Sequence, residues 1–435
     1  MNSQTPQQGT VLVERLAHDG RGVARVAGKT LFIDGALPGE EVRYRISKRR
    51  ARYDEALTLE ILHPSPQRVA PPCPHYGRCG GCNLQHLAPV AQLEVRQQHL
   101  GDALERIAGL RPRRWLDPVA SEPWEYRARA RLAIECGERG SAPTLGLRRE
   151  GSRRVEALHS CPVLVAAASA LLAPLAQLLG ELEQPGWLQE AWLASGEPGL
   201  ALALGCTRAT AHPNDLQRLH AFCAAHSVQL QIGIVNDGRI RWPERLEALG
   251  YHTGCADIRL QFQPWQFTQA NRTVNRALIA LVGDLLQPQP ADLLLDLFCG
   301  IGNFALPLAG RVAQVTGIEG DAASIECARH NAQLNGIANA EFLRADLAHD
   351  PGASAWARRR YQLIVLDPPR AGAAALVPTL LRLRPRRLCY ISCDAATLAR
   401  DARNLCADSK LELLAAGVLD MFPQTSHFES IALFG

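Results

Sequence analysis

Hydrophobic and polar positions change their spacing twice along this chain, and the changes mark off three regions. Between residue 10 and about residue 68, strand-length apolar runs at 11–16, 23–26, 30–33, 42–46 and 57–61 are broken by Gly20, Gly22, Gly28, Gly35 and Gly39. Short runs with such punctuation predict a small β-barrel. Pro64, Pro66, Pro71, Pro72 and Pro74 then form a stiff connector. Beyond it, Val90, Leu93, Leu100, Leu104 and Ile107 recur at a mostly helical spacing between residue 89 and about 110. From 127 to about 262, strand-like runs at 200–204, 228–235 and 239–242 mix with helical patterns at 164–182 and 213–226, which predicts an α+β middle region. From residue 268 the rhythm becomes helix, apolar strand, helix, with strands at 293–297, 312–318, 341–345, 362–366 and 387–392. That alternation predicts a mainly parallel, doubly wound α/β sheet.

Composition narrows the class. At 435 residues, two or three domains are expected. With 47% hydrophobic and 21% charged residues and no apolar run long enough for a bilayer, neither a disordered chain nor a helical membrane protein fits. The polar start, residues 1–10, lacks a signal pattern, so a cytoplasmic location is expected by default. A net charge of +4 does not announce a nucleic-acid partner, but the arginines are clumped: Arg43, Arg45, Arg49, Arg50 and Arg52 around Lys48, then Arg111, Arg113 and Arg114, then Arg127, Arg129 and Arg131.

Thirteen cysteines without a secretory signal argue for metal binding or catalysis over disulfides. Cys73, Cys79 and Cys82 stand within ten residues in a Gly- and Pro-rich loop that lets three sulfurs converge on a soft metal. A fourth ligand must come from far away, and Cys161, followed by Pro162, is the candidate. Four thiolates suit zinc or an iron–sulfur cluster.

Asp296-Leu297-Phe298-Cys299-Gly300-Ile301-Gly302-Asn303-Phe304 follows an apolar strand and opens a helix, so its glycines let the backbone turn tightly beside a nucleotide-like ligand. It is not the GxGxxG of dinucleotide binders and is similar to motif I of class I S-adenosylmethionine-dependent methyltransferases. Glu319 ends the next strand about twenty residues on, where a carboxylate accepts both ribose hydroxyls, and Asp346 follows the third strand, positioned to read an adenine amino group. Asp367-Pro368-Pro369-Arg370 and Ser392-Cys393-Asp394 end the fourth and fifth strands on the same edge. A thiol there has a chemical reason: carbon 5 of uracil attacks a methyl sulfonium only after a thiolate has added to carbon 6. The carbon-5 proton must then be removed before the thiol leaves, and Glu429, near His427 in the terminal segment, is the candidate base. His427 is assigned to orienting groups or to RNA contact. Neither ring carbon is accessible within paired RNA, so the uracil must leave its stack, and Trp265, Phe267 and Phe304 are candidate stacking partners or core residues.

Together with Phe267-Thr268-Gln269-Ala270-Asn271 and His427-Phe428-Glu429, these segments resemble the ordered motifs of the RNA 5-methyluridine methyltransferase family, and the 10–68 region resembles the TRAM domain, an RNA-binding module of the OB type. The likeness covers nearly the whole chain. It implies a multidomain fold: a TRAM-like barrel at 10–68, an α+β iron–sulfur middle domain at 69–92 and 127–266, and a class I Rossmann-like methyltransferase domain at 93–126 and 267–435. It implies S-adenosylmethionine bound by Gln269, Phe298, Asn303, Glu319, Asp346 and Asp367, with Cys393 as nucleophile and Glu429 as base. It further implies a [4Fe-4S] cluster on Cys73, Cys79, Cys82 and Cys161, structural in role. By the same likeness, tRNA-directed members share only the catalytic part and a second rRNA-directed type lacks the barrel, which points to 23S rRNA as partner. No membrane or protein partner is implied. Ala270 stands where valine is common, and Asp346 is asparagine in some members. Two alternatives remain: an RNA uracil-C5 methyltransferase with another target, and a noncatalytic metal-containing RNA-binding protein.

Overall fold

The computed structural model describes residues 7–137, 142–197, 199–207, 212–236, 239–241, 249–349, 351–352, 354–407 and 411–435. Its N-terminal part is one six-stranded sheet in the order Gln8–Leu12, Glu41–Arg49, Tyr53–His63, Lys29–Asp34, Gly22–Val26, Arg15–Leu16. Alternate residues of Glu41–Arg49 turn inward, so Val42, Tyr44 and Ile46 join Val13, Ala24, Leu31, Ile33 and Ala56 in a core that the sheet must curl to enclose. Register shifts between Glu41–Arg49 and Tyr53–His63 supply the bend. The single strand expected at 11–16 is divided in two, because the Val13 N–H turns to the Glu40 carbonyl and the Glu14 N–H to the Val23 carbonyl.

The Glu40 carboxylate is fully buried. It accepts from the backbone of Leu37 (2.8 Å) and Ser65 (3.1 Å) and from two nitrogens of Arg68 (2.6 and 2.8 Å). Burial alone would push this acid up; the donors outweigh it and hold it below its ordinary range. Arg68, where the boundary was expected, is therefore still fastened to the barrel. A small apolar cluster of Leu16, Leu37, Leu84, Leu87 and Ala91 then seats the barrel on the segment that follows the cysteines.

The middle sheet runs Val155–Ala157, Thr144–Arg148, Arg129–Glu135, Leu188–Ser195, Leu200–Cys206, Val228–Asn236, Arg239–Arg241. Its pairs are antiparallel except Leu200–Cys206 with Val228–Asn236, which the helix Pro213–Ala225 connects. Trp242, the expected end of the last strand, lies outside the described residues. The long helix expected at 164–182 is broken into Ala166–Ala170 and Leu172–Glu181. Pro174 is the cause: it has no N–H to give the Ala170 carbonyl, and its ring crowds that oxygen.

The third sheet has eight strands in the order Ala340–Arg344, Gln314–Glu319, Leu293–Leu297, Leu363–Leu366, Arg387–Ser392, Glu429–Phe434, Leu413–Leu419, Arg114–Trp115. The first five are parallel, as expected. Glu429–Phe434 is antiparallel to both neighbours, a reversal the apolar rhythm did not indicate. Leu294, Val365 and Ile391 face one core while Leu295, Ile364 and Tyr390 face the other, so both sides are covered and the strands read as continuous apolar runs. The helix Pro89–Ala103 and the π-helical turn Leu104–Ala108 pack on this sheet through Leu100 and Leu104.

The hairpin Leu249–His252 with Arg259–Phe262 joins middle and catalytic parts through two asparagines one helical turn apart on Ala322–Leu334 and its cap. Asn331 accepts from the Gln261 N–H (2.8 Å) and donates to its carbonyl (3.1 Å); Asn335 does the same for Arg259 (2.9 and 2.8 Å). Side-chain amides thus replace a partner strand at this sheet edge.

Replacing Arg68 with Met leaves the Glu40 charge buried without its cation. Native-state hydrogen exchange of the barrel amides should show a loss of about 3 kcal/mol, largely recovered in the Glu40→Gln, Arg68→Met double variant.

Candidate active site and thiol cavity

The carboxyl ends of the parallel strands open onto a cleft of about 1430 Å³ whose far wall belongs to the middle domain. Gln269, Phe298, Glu319, Asp367, Cys393 and Glu429 all line it, as do Arg370, His427, Trp265 and Phe267. Two expected residues do not. Asn303 exchanges amide hydrogen bonds with Asn275 (2.9 Å each way) and accepts from the Tyr251 hydroxyl (2.9 Å). Asp346 follows the third strand as expected, but is exposed and paired with His349 at 2.8 Å. Of the three candidate stacking aromatics, Phe304 is in the core.

The turn after Leu293–Leu297 has the shape required of a close ligand contact. Phe298 adopts φ 63°, a cost for a bulky residue, and Gly300 and Gly302 follow at 53° and 94°. A Cβ on Gly302 would lie 2.8 Å from Leu306. Glu319 reaches across from the neighbouring strand end, accepting from Gly300 N–H (3.3 Å) and Asp321 N–H (2.9 Å). Asp296, beneath the turn, is fully buried; one oxygen accepts from Ala305 N–H (2.9 Å), the other has no partner among the described residues, and burial pushes this acid well up. A tight glycine turn with a carboxylate at the second strand end suits an adenosine ligand.

Strand register explains how the two chemical residues meet. Ser392 pairs with Ser430 in the antiparallel ladder, so Cys393, one step past its strand, faces Glu429 across the pair. Asp394 caps the helix Ala395–Ala407, accepting from Ala396 N–H (3.0 Å) and Thr397 N–H (2.9 Å), which fixes the thiol beside a helix N-terminus. Burial, then the facing Glu429, pushes the Cys393 thiol up to about 11, while Arg370 pulls it down. Glu429 is driven well above its ordinary value by burial and Asp367, again opposed by Arg370, and its Oε2 has no hydrogen-bond partner among the described residues. Burial also raises Asp367, which the Gln269 amide partly offsets from 3.4 Å. Arg370 lies 3.3 and 3.4 Å from the two ring nitrogens of His427. One guanidinium nitrogen thus lies between the two ring nitrogens, and burial with Arg370 holds His427 below its ordinary value.

The segment 420–428 that leads to Glu429 is held by residues that sequence patterns did not single out. Arg96 is 1% exposed, pairs with Asp420, and donates to the carbonyls of Phe422 (3.2 Å) and Thr425 (2.8 Å). Gln92 bonds Gln424, Tyr126 donates to the Pro423 carbonyl, and Asn83 exchanges two bonds with Ser426. Asn83 directly follows Cys82, so the cysteine segment is fastened to the catalytic loop.

Cys73, Cys79, Cys82 and Cys161 line one cavity of about 40 Å³, and all four are free thiols. Gly80 is required there because a Cβ would lie 2.9 Å from the Arg148 carbonyl of the middle sheet. Buried Glu156 holds His75, Arg78 and Arg149 around the same loop. Among the described residues no group of three or more His, Cys, Asp or Glu is arranged to hold a single metal ion.

The family described as tRNA (Uracil-5-)-methyltransferase matches residues 253–434, and the TRAM domain matches 6–56. The chain is 39% identical over 434 residues to the 23S rRNA (uracil(1939)-C(5))-methyltransferase RlmD of Alcanivorax borkumensis, covering 99% of this chain and 97% of that protein. It is 42% identical over 441 residues to the RlmD of Nitrosococcus oceani, covering 99% and 96%. Among solved structures, the Pyrococcus abyssi tRNA (uracil-54, C5)-methyltransferase in complex with S-adenosyl-L-homocysteine superposes with a TM-score of 0.75 at 23% identity, over 98% of this chain and all of that one. This overturns one expectation: a tRNA-directed enzyme shares the whole architecture, so barrel and middle domain do not by themselves select rRNA.

With its pKa raised, Cys393 should alkylate slowly at neutral pH, the rate rising about tenfold per pH unit below the thiol pKa. Peptide mass spectrometry should find Cys393 faster in Glu429→Gln, which removes the facing negative charge, and slower in Arg370→Gln.

Proposed function

The chain belongs to the RNA (uracil-C5)-methyltransferase family, and we propose that it methylates carbon 5 of one uridine in 23S rRNA. The observation that carries the chemical reading is Cys393 facing Glu429 across one strand pair in the cleft that Glu319 and the Phe298 turn also line. The choice of 23S rRNA rests on full-length relatives near 40% identity that bear that name. S-Adenosylmethionine is the methyl donor of this chemistry, and Gln269, Phe298, Glu319 and Asp367 would hold it.

The roles divide by position. Cys393 Sγ adds to carbon 6 of a uracil turned into the cleft, and the ring becomes an enolate whose carbon 5 takes the methyl group. Glu429 then removes the carbon-5 proton, the ring electrons reform the double bond, and the carbon–sulfur bond breaks. Arg370 favours the charged form of both groups, which suits a site where thiolate and carboxylate must each exist in turn. His427, kept neutral under Arg370, orients that guanidinium.

Four free thiols around one cavity are the donor set of a [4Fe-4S] cluster, and Cys73, Cys79, Cys82 and Cys161 would hold it. Its place is remote from Cys393 in role: the loop it would fix continues through Asn83 into the frame of the catalytic segment.

With 5-fluorouridine-substituted 23S rRNA and labelled cofactor, the wild type should form a covalent adduct on denaturing gels and Cys393→Ala none. Glu429→Gln should still form an adduct on ordinary RNA and lose about 10²- to 10⁴-fold in turnover, because only proton removal fails. Methylation of tRNA with no 5-methyluridine in 23S rRNA would overturn the substrate assignment. Anaerobically purified protein should contain about four irons per chain and absorb in the visible charge-transfer region; stoichiometric zinc without iron would contradict the cluster.

A further inference from the structure

We infer that Arg129, Trp192 and Arg131 form a stacking track beside the cleft, which Arg131 and Phe267 line, for unpaired bases next to the target uridine, an inference that rests on RNA being the substrate. The strand Arg129–Glu135 alternates strictly, with Ala130, Leu132 and Ile134 in the middle-domain core and Arg129 and Arg131 on the opposite face. On the adjacent strand Ala191 and Leu193 are buried, so Trp192 shares the arginine face. Register sets Trp192 directly opposite Arg131, with Arg129 one diagonal step away.

The three side chains stack. The guanidinium carbon of Arg131 lies 5.0 Å and that of Arg129 5.8 Å from the Trp192 ring. Glu190 fixes the assembly, accepting from Arg131 (2.6 and 2.7 Å) and from the indole N–H (3.0 Å). Arg129 also donates to the Gln266 carbonyl (2.6 Å), which anchors it beside Phe267, whose ring lies 6.0 Å from its guanidinium carbon. Phe267 is 69% exposed and lines the same cleft as Cys393. The series Phe267, Arg129, Trp192, Arg131 therefore leads outward from the chemical site.

Guanidinium and aromatic planes held in fixed orientation suit bases, which stack on both, while arginine adds attraction for the phosphates between them. A uracil leaving its helix exposes its neighbours on the strand, and this track lies where they emerge. A structural role alone does not call for two arginines and an indole on a partly exposed face, since the core of this sheet is complete beneath them.

The test uses the full-length protein with Trp192→Leu, which keeps apolar bulk and loses the ring, and Trp192→Phe, which keeps a ring. Equilibrium binding to 23S rRNA should weaken about tenfold in Trp192→Leu and recover most of that loss in Trp192→Phe. The KM for RNA should rise in parallel, with kcat at saturating RNA and the melting temperature little changed. Unchanged affinity in Trp192→Leu would overturn the track, as would an equal loss in both variants or a fall in kcat alone. Should the wild type bind 23S rRNA without making 5-methyluridine, the methylation reading fails, while the affinity comparison still decides the track.

Discussion

A guanidinium with almost no exposed surface organises this molecule. Arg96 leaves water at a cost of several kcal/mol, offset by the Asp420 carboxylate and by the carbonyls of Phe422 and Thr425. All three partners lie in the segment just before Glu429, and Arg96 comes from a helix more than three hundred residues earlier in the chain. The terminal segment therefore has its shape only with the early helix docked against it. Around it, Gln92 and Asn83 carry the same restraint back to Cys82, and an Asn83 bond to the Asp19 carbonyl carries it into the barrel. The three domains are tied through one polar frame beside the cleft.

The cleft itself is poor in positive charge at its chemical end. Cys393, Glu429 and Asp367 are crowded together, burial raises all three, and Arg370 is the cation acting on the first two. A resting thiol follows from this balance, and Glu429 holds its proton more tightly than an ordinary carboxylic acid. The thiol is not the reactive form, so reactivity depends on what enters. Positive charge brought against this wall acts in the same direction as Arg370, and a hydrogen bond to the carboxylate has the same effect on Glu429.

How much was legible in the sequence follows from where the signal is stored. The parallel strands are buried on both faces, so apolar runs such as Leu363–Leu366 announce themselves; the barrel strands do so by alternation and glycine breaks. Arg129–Glu135 and Leu188–Ser195 carry a weaker signal because Ala130 and Ala191 stand at inward positions that a larger apolar residue would mark. Cys393, Glu429 and Glu319 were legible through chemistry at strand ends. Arg96 was not: an arginine in a polar helical stretch reads as solvent-facing, and its burial is decided by distant partners. Asn303 shows the opposite limit. Its motif marks it for a ligand, yet Asn275 and Tyr251 already engage its amide.

The antiparallel strand Glu429–Phe434 resolves a geometric problem set by the parallel sheet. Parallel strands all end on one edge, so a residue at the start of another parallel strand would lie at the opposite edge, a strand's length away. Reversing one strand brings its first residue to the edge where the others finish. Glu429 is that residue, and the register places it against Cys393. Two groups from the fifth and the reversed strand thus approach a ligand from neighbouring points, while the Phe298 turn and Glu319 approach from the first and second. These cleft-lining groups are gathered from strand ends that the ladder holds at fixed spacing, and only the loop 420–428 between the reversed strand and its predecessor needs separate support. That support is the buried frame of Arg96, Gln92, Tyr126 and Asn83.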